Sequence, residues 1–257
     1  MGQVWSNICG KRMTQRLMRW MVPGLVWNQQ IYGETLRACM NSQTRWLDIG
    51  CGWRLLGKGL ERLEDDLVTS PRLVVGCDLE LSSLAKHRNI RKVLMTSAES
   101  LPFADGSFDL VSCNMVAEHF SDPPRCLAEM ARVLAPGGHL VIHTPNLWNY
   151  AIFLNHTVGR VLPRKLVLTA IKRSENRDHS DVFLTYYRAN TVKRLTRLCA
   201  DLGLKQETAR VLTSPQPFFN FFVPLALPQI PLMWLTKSSP YFRRFGQTLL
   251  MGFRREG

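Results

Sequence analysis

Two acids and a pair of glycines carry the chemistry most readily read from this chain. Asp48 stands two residues ahead of Gly50 and four ahead of Gly52, at the end of the apolar run that begins at Trp46. A second acid, Asp78, closes the next apolar run, Arg72 to Cys77. The glycines supply the φ freedom and bare backbone of a tight turn out of a strand, and the N–H groups of such a turn hold a charged, nucleotide-like ligand. A carboxylate at the end of the following strand, at this distance along the chain, accepts both hydroxyls of a ribose. The Gly-x-Gly-x-x-Gly fingerprint of nicotinamide and flavin sites is not met, because its third glycine falls at Leu55. Taken alone, the stretch also fits a glycine turn in another kind of α/β protein.

The elements that position these residues follow from hydrophobic periodicity and breakers. Arg45–Ile49 reads as a buried strand, Leu55–Leu67 as an amphipathic helix and Arg72–Cys77 as a second strand. Leu81–Arg88 is expected to be helical, Lys92–Met95 a strand, Thr96–Gly106 a turn and Phe108–Asn114 a fourth strand. Ser121-Asp122-Pro123-Pro124 is a helix start, because Asp or Ser caps and proline is tolerated in the first turn. Cys126–Leu134 continues that helix, Pro136-Gly137-Gly138 ends it, and His139–His143 is a fifth strand. A helix over Thr191–Leu202, a strand over Leu204–Leu212 and a last strand over Gln247–Arg254 complete the frame. Strands alternating with helices imply a largely parallel sheet.

The ordered set of motifs resembles the class I S-adenosylmethionine-dependent methyltransferases of the type 11 family. The resemblance rests on Asp48-x-Gly50-x-Gly52, Asp78, the run Ser97-Ala98-Glu99 followed by Leu101-Pro102-Phe103 and Phe108-Asp109, and Ala131 to Gly138 before an apolar strand. It covers roughly residues 44–146. It implies a Rossmann-like sheet of seven mostly parallel strands with an antiparallel last strand, helices on both faces, and S-adenosyl-L-methionine as cofactor. It further implies that Asp48, Gly50, Cys51 and Gly52 face the methionine portion, that Asp78 and Leu79 meet the ribose side, and that Ser97, Ala98 and Glu99 meet the adenine edge. Ser97 stands where the family commonly has Asp. Asn114 is expected beside the methionine part, His119 is either the general base or an anchor of the turn before Ser121-Asp122, and Tyr32 is a candidate for closing over the cofactor. His143 is a weaker base candidate than His119 and reads more readily as a structural histidine, while His179 and Tyr186 are weaker candidates for substrate contact. Arg54 occupies the family's usual third-glycine position, beside Trp53, and is expected to point away from the cofactor or to pair with its carboxylate.

Charge is divided unevenly. Residues 1–46 hold six Lys or Arg against one acid, residues 47–146 ten against thirteen, and residues 147–257 seventeen against six. An acidic core with basic flanks suits an anionic partner: a membrane surface, an acidic glycan precursor or RNA. Seven cysteines without a C-x-x-C pair argue for a reducing compartment and against a zinc site or disulfide framework, so the expected location is cytoplasmic, with a peripheral membrane option.

The expected organisation is a basic N-terminal helical segment over 1–43 and a methyltransferase domain over 44–257, with cap insertions at about 147–188 and 213–246. The second insertion runs from Val211 to Thr236 without a charge, and its prolines argue against a regular transmembrane helix. The expected activity is methylation of oxygen or carbon in a small-molecule, glycan or lipid-linked acceptor. An RNA methyltransferase and a non-catalytic binding protein on the same fold stay open as alternatives, and no metal is expected.

Overall fold

The computed structural model describes residues 20, 26–149, 152–153, 184–214 and 229–257. Its strands are β1 (Arg45–Ile49), β2 (Leu73–Asp78), β3 (Lys92–Met95), β4 (Phe108–Asn114), β5 (Leu134–Pro145), β6 (Leu204–Leu212) and β7 (Thr248–Arg255). They form one seven-stranded sheet in the order β3-β2-β1-β4-β5-β7-β6, with the end of the chain antiparallel. β1 pairs in parallel with both β2 and β4, β2 with β3, and β4 with β5. The chain therefore leaves β1 in one direction and returns to its other side at β4, which makes a topological switch point at the carboxyl ends of β1 and β4.

The helices are α1 (Asn28–Ala38), α2 (Glu61–Thr69), α3 (Leu81–Leu84), α4 (Pro123–Val133), α5 (Val192–Ala200), α6 (Gln229–Ser238) and α7 (Pro240–Arg243), with a 3-10 turn at Ala117–His119. Trp46, Leu47, Leu110 and Val111 from the central strands are fully buried, together with Leu36 of α1, Leu67 of α2 and Met130 of α4. Asp122 caps α4 by accepting from the Arg125 N–H at 3.3 Å, with Pro123 in the first turn, as its sequence implies.

By internal contacts the chain divides into two compact units. One comprises Asn28–Pro145, Thr185–Arg210 and Leu249–Gly257, and the other Met1–Trp27, Asn146–Leu184 and Val211–Thr248. Most of the expected N-terminal segment and of the first cap insertion, including His179, lies outside the described residues, as do residues 215–228 of the second insertion. Among the described residues, no helix is long and apolar enough to cross a membrane.

Several elements differ from expectation. The helix after the glycine turn begins at Glu61, so that residues 51–60 form a loop. Leu55 and Leu56 are buried from that loop, so their hydrophobicity reports the core and not a helical period. Gly57 and Gly59 disfavour helix here, Gly59 sitting at φ 93°. The helix expected over Leu81–Arg88 is a single turn, Leu81–Leu84. Pro136-Gly137-Gly138 lies inside β5, which starts directly after α4, and a register irregularity against Phe108 and Leu110 absorbs the break.

Candidate functional site

The glycine turn is stapled to the end of β2. Cys77 O accepts from Gly50 N at 2.7 Å and from Cys51 N at 3.0 Å, and Asp78 Oδ2 accepts from Gly52 N at 2.9 Å. Gly50 and Gly52 both lie at positive φ, 69° and 56°, but their surroundings differ. A Cβ on Gly50 would stand 2.3 Å from Val116 Cγ2, whereas one on Gly52 would meet nothing within 4 Å. Gly50 thus lets the turn pack under the loop after β4, and Gly52 faces open space. Cys51 is buried, its Sγ 2.7 Å from where a Cβ on Gly76 would lie, and burial pushes its thiol pKa up. Its backbone, not its side chain, belongs to the turn.

The two acids occupy different environments. Asp78 accepts from Gly52 N through one oxygen and from Glu80 N through the other at 3.0 Å. Each carboxylate oxygen retains acceptor capacity. Leu79 beside it is 59% exposed, and Met95 at the end of β3 is 56% exposed, an apolar ledge next to the acid. Asp48 is instead buried: its Oδ1 accepts from Ser112 Oγ at 2.5 Å, and that hydroxyl accepts from Trp46 Nε1 at 2.7 Å. Burial pushes the Asp48 carboxyl up to about 7, against the opposing hydrogen bond from Ser112.

The loop after β3 is held on both sides. Thr96 N donates to Asp78 O at 3.0 Å, and Ser97 Oγ accepts from Glu99 N at 3.2 Å. Glu99 Oε1 accepts from Ser121 Oγ at 2.6 Å, and its carbonyl accepts from Arg125 Nε at 3.1 Å. The Glu99 carboxylate is therefore tied to the start of α4, while Ser97 and Ala98 remain partly exposed.

Asn114 is a junction. Its amide pairs reciprocally with Gln29 of α1, at 3.1 and 2.9 Å, donates to Leu55 O at 2.9 Å and meets His143 Nδ1 at 2.8 Å. One side chain thus links α1, the glycine loop, β4 and β5. Burial pushes His143 down to about 3, and its ring stacks on Tyr32 with centroids 5.4 Å apart. Tyr32 is 1% exposed, which makes it an interior residue and not a lid.

Glu118 and His119 form the 3-10 turn after β4. Glu118 is buried and accepts from Thr144 Oγ1 at 3.0 Å. The His119 side chain is 30% exposed, with its Nε2 4.0 Å from Glu118 Oε1. Tyr186 is partly exposed under the Arg188 guanidinium, 5.2 Å from the ring centroid. Arg54 does not reach toward the open side of the turn. It pairs with the fully buried Glu64 at 3.2 Å and with Glu61 at 3.2 Å, and Glu64 also accepts from Leu55 N at 2.7 Å and pairs with Arg88 at 3.3 Å. The expected alternative of pairing with a cofactor carboxylate is replaced by this structural role.

Sequence reasoning missed two residues. Gln29 lies 85 positions from Asn114, and no local pattern marks their pairing. Met115 adopts φ 59°, rare for an unbranched residue outside glycine and asparagine, and donates its N–H to His143 O at 2.7 Å. Its side chain is 38% exposed at the switch point.

Residues 47–142 match the family model described as a methyltransferase domain. The chain is 35% identical over 112 residues to a demethylmenaquinone methyltransferase of Corynebacterium kroppenstedtii, covering 42% of this chain and 48% of the relative. It is 33% identical over 129 residues to a ubiquinone biosynthesis O-methyltransferase of Xanthomonas oryzae pv. oryzae, covering 47% and 52%. The chain thus spans about half the length of these curated relatives. The crystal structure of a putative methyltransferase from Bacillus halodurans superposes with a TM-score of 0.58 at 17% identity, covering 89% of this chain and all of that one, a likeness of fold. The glycine turn, the acid at the end of β2 and the strand order thus lie within or beside the stretch, residues 47–142, that matches the methyltransferase-domain model.

Proposed function

We propose that the protein transfers a methyl group from S-adenosyl-L-methionine to oxygen or carbon of a small or lipid-linked acceptor. The observation that carries this reading is the Asp78 carboxylate, fixed by Gly52 N–H at the carboxyl end of β2 beside an exposed apolar ledge. Asp78 has lone pairs left for a ribose diol, Gly52 leaves space for the ligand's approach, and Leu79 and Met95 offer apolar surface to an adenine. Ser97 and Ala98 would meet the adenine edge, with Glu99 bracing their loop through Ser121. Asn114 would act as a positioning residue, setting the glycine loop against β4. Asp48 and Cys51 would support the turn from beneath.

The cofactor, when bound, supplies an electrophilic methyl group on sulfur. The chain's own task is alignment, together with removal of a proton where the acceptor is a hydroxyl. His119 is the base in this reading: it follows β4 and its side chain is partly exposed, with the buried Glu118 carboxylate 4.0 Å from its Nε2. His143, buried and held neutral, is left a structural part.

The names of the relatives, which include a demethylmenaquinone methyltransferase and an O-methyltransferase of ubiquinone biosynthesis, favour a ring-bearing acceptor with a lipid tail. Incubation with radiolabelled donor and either extracted lipids, quinone precursors, glycan precursors or RNA tests the reading. Label in the lipid or small-molecule fraction is expected; label in RNA alone would refute it.

A further inference from the structure

We infer that α6 and α7 form a peripheral docking surface for an anionic lipid bilayer. The inference stands apart from the methyl-transfer reading and uses residues of one compact unit, Val211–Thr248 with Asn146 and Asn149. On α6, Ile230, Met233 and Thr236 are buried, at the spacing of one helix face. The remaining surface carries Trp234 and Leu235, 50% and 46% exposed, and α7 continues it with Tyr241 and Phe242, 62% and 36% exposed. Four large apolar or aromatic side chains thus lie exposed within nine residues of sequence. Lys237, Arg243 and Arg244 are exposed among them.

Three observations select a bilayer as the occupant. First, the charge is of one sign: within Val211–Thr248 the charged residues are Lys237, Arg243 and Arg244, with no acid. A basic rim around an apolar strip suits anionic headgroups over acyl chains. Second, the exposed side chains include Trp and Tyr, whose apolar body and polar tip suit the headgroup boundary. Third, the strip is braced. Asn146 Nδ2 donates to the carbonyls of Arg244 and Gly246 at 2.7 and 2.9 Å, Asn149 Nδ2 donates to Phe245 O at 3.2 Å, and the Arg244 guanidinium lies 4.2 Å from the Tyr241 ring centroid. A preorganised surface loses little side-chain entropy on docking. Among the described residues no helix is long and apolar enough to span a bilayer, and the attachment inferred is an in-plane one.

The test is co-sedimentation of the full chain with vesicles of phosphatidylcholine alone or mixed with phosphatidylglycerol, without methyl donor. The full chain is expected to pellet with the anionic vesicles and to remain largely in the supernatant with the neutral ones. Each basic residue near an anionic surface contributes on the order of fivefold in partition, so Arg243→Glu with Arg244→Glu is expected to lower it by tenfold or more, on that order. Leu235→Glu with Phe242→Glu is expected to lower it comparably by removing the apolar anchor. Circular dichroism melts and calorimetric titration with donor report whether each variant stays folded. A full chain that ignores anionic vesicles, or folded variants that pellet as the parent does, would overturn the inference. So would a solution dimer that either double variant abolishes while vesicle binding persists.

Discussion

The two ends of the sheet are built on opposite plans. At the amino end of β1 and β4, arginines close the structure. Arg45 holds Asp109 through Nε at 3.0 Å and Nη2 at 2.7 Å, and its own backbone N–H donates to the same carboxylate at 2.9 Å. Arg132 grips Glu129, Asp105 and the carbonyls of Leu101 and Phe103, and Arg255 donates to the carbonyls of Arg132 and Leu134. Phe103 meets Phe108 edge-on at 5.0 Å beneath this lattice. At the carboxyl end, Asp78 keeps acceptor capacity, Gly52 faces open space, and Leu79, Met95 and Met115 are exposed. Motifs of equal prominence in the sequence therefore do different work. Leu101-Pro102-Phe103 and Phe108-Asp109 hold the fold, and the residues from Gly50 to Gly52 with Asp78 form the proposed cofactor site.

Substitutions at the two ends should separate stability from donor binding. The largest effect is expected from Gly50→Val, which drives a branched side chain into Val116 at a positive φ and should cost about 3 kcal/mol or more while abolishing donor binding. Gly52→Ala, with open space beside it, should fold and bind donor more weakly, as calorimetric titration and thermal melts would show.

Asp48→Asn probes the buried layer under the turn. Between the ordinary carboxylate range and about 7, the folded state keeps a proton on Asp48 that the unfolded chain has lost, so stability falls as pH rises through that window. His143, pushed down to about 3, works in the opposite sense: stability is lost as pH falls below about 6.5, where the unfolded imidazole charges and the buried one does not. Relative to the parent, Asp48→Asn should gain about 2 kcal/mol in urea unfolding at pH 8 compared with pH 5. An unchanged difference between the two pH values would contradict the buried-carboxylate assignment.

Arg54→Gly restores the family's usual glycine but leaves the buried Glu64 with Arg88 as its remaining ion-pair partner among the described residues. A loss of about 2 kcal/mol is expected, with donor affinity kept within about threefold. Arg45→Ala, at the closed end and half exposed, should cost about 1 kcal/mol and leave donor affinity unchanged. Weaker donor binding in a folded Arg45→Ala protein would blur the division between the ends.

The frame was legible because its signals are local. β1, β3, β4 and β6 coincide with the strands expected from the sequence, and the Asp122-Pro123 start of α4 is a side-chain cap that sequence states directly. The stretch after Gly52 was not legible as a loop. Leu55 and Leu56 have helical spacing relative to later leucines, yet they are buried from a loop organised by Glu64, whose role depends on Arg54, Arg88 and the Leu55 N–H. The Asn114–Gln29 pair and the left-handed Met115 also depend on tertiary approach. Asp48 read as a ligand-facing acid, but strand alternation turns it into the sheet's buried layer against Ser112.

The central claim is that the carboxyl ends of β1 and β2 form the S-adenosylmethionine site through Asp78. Calorimetric titration of the parent and of Asp78→Ala with S-adenosyl-L-methionine tests it directly. Saturable binding by the parent, weakened about tenfold or more in a folded Asp78→Ala protein, is expected. Equal affinity in both proteins would contradict the claim.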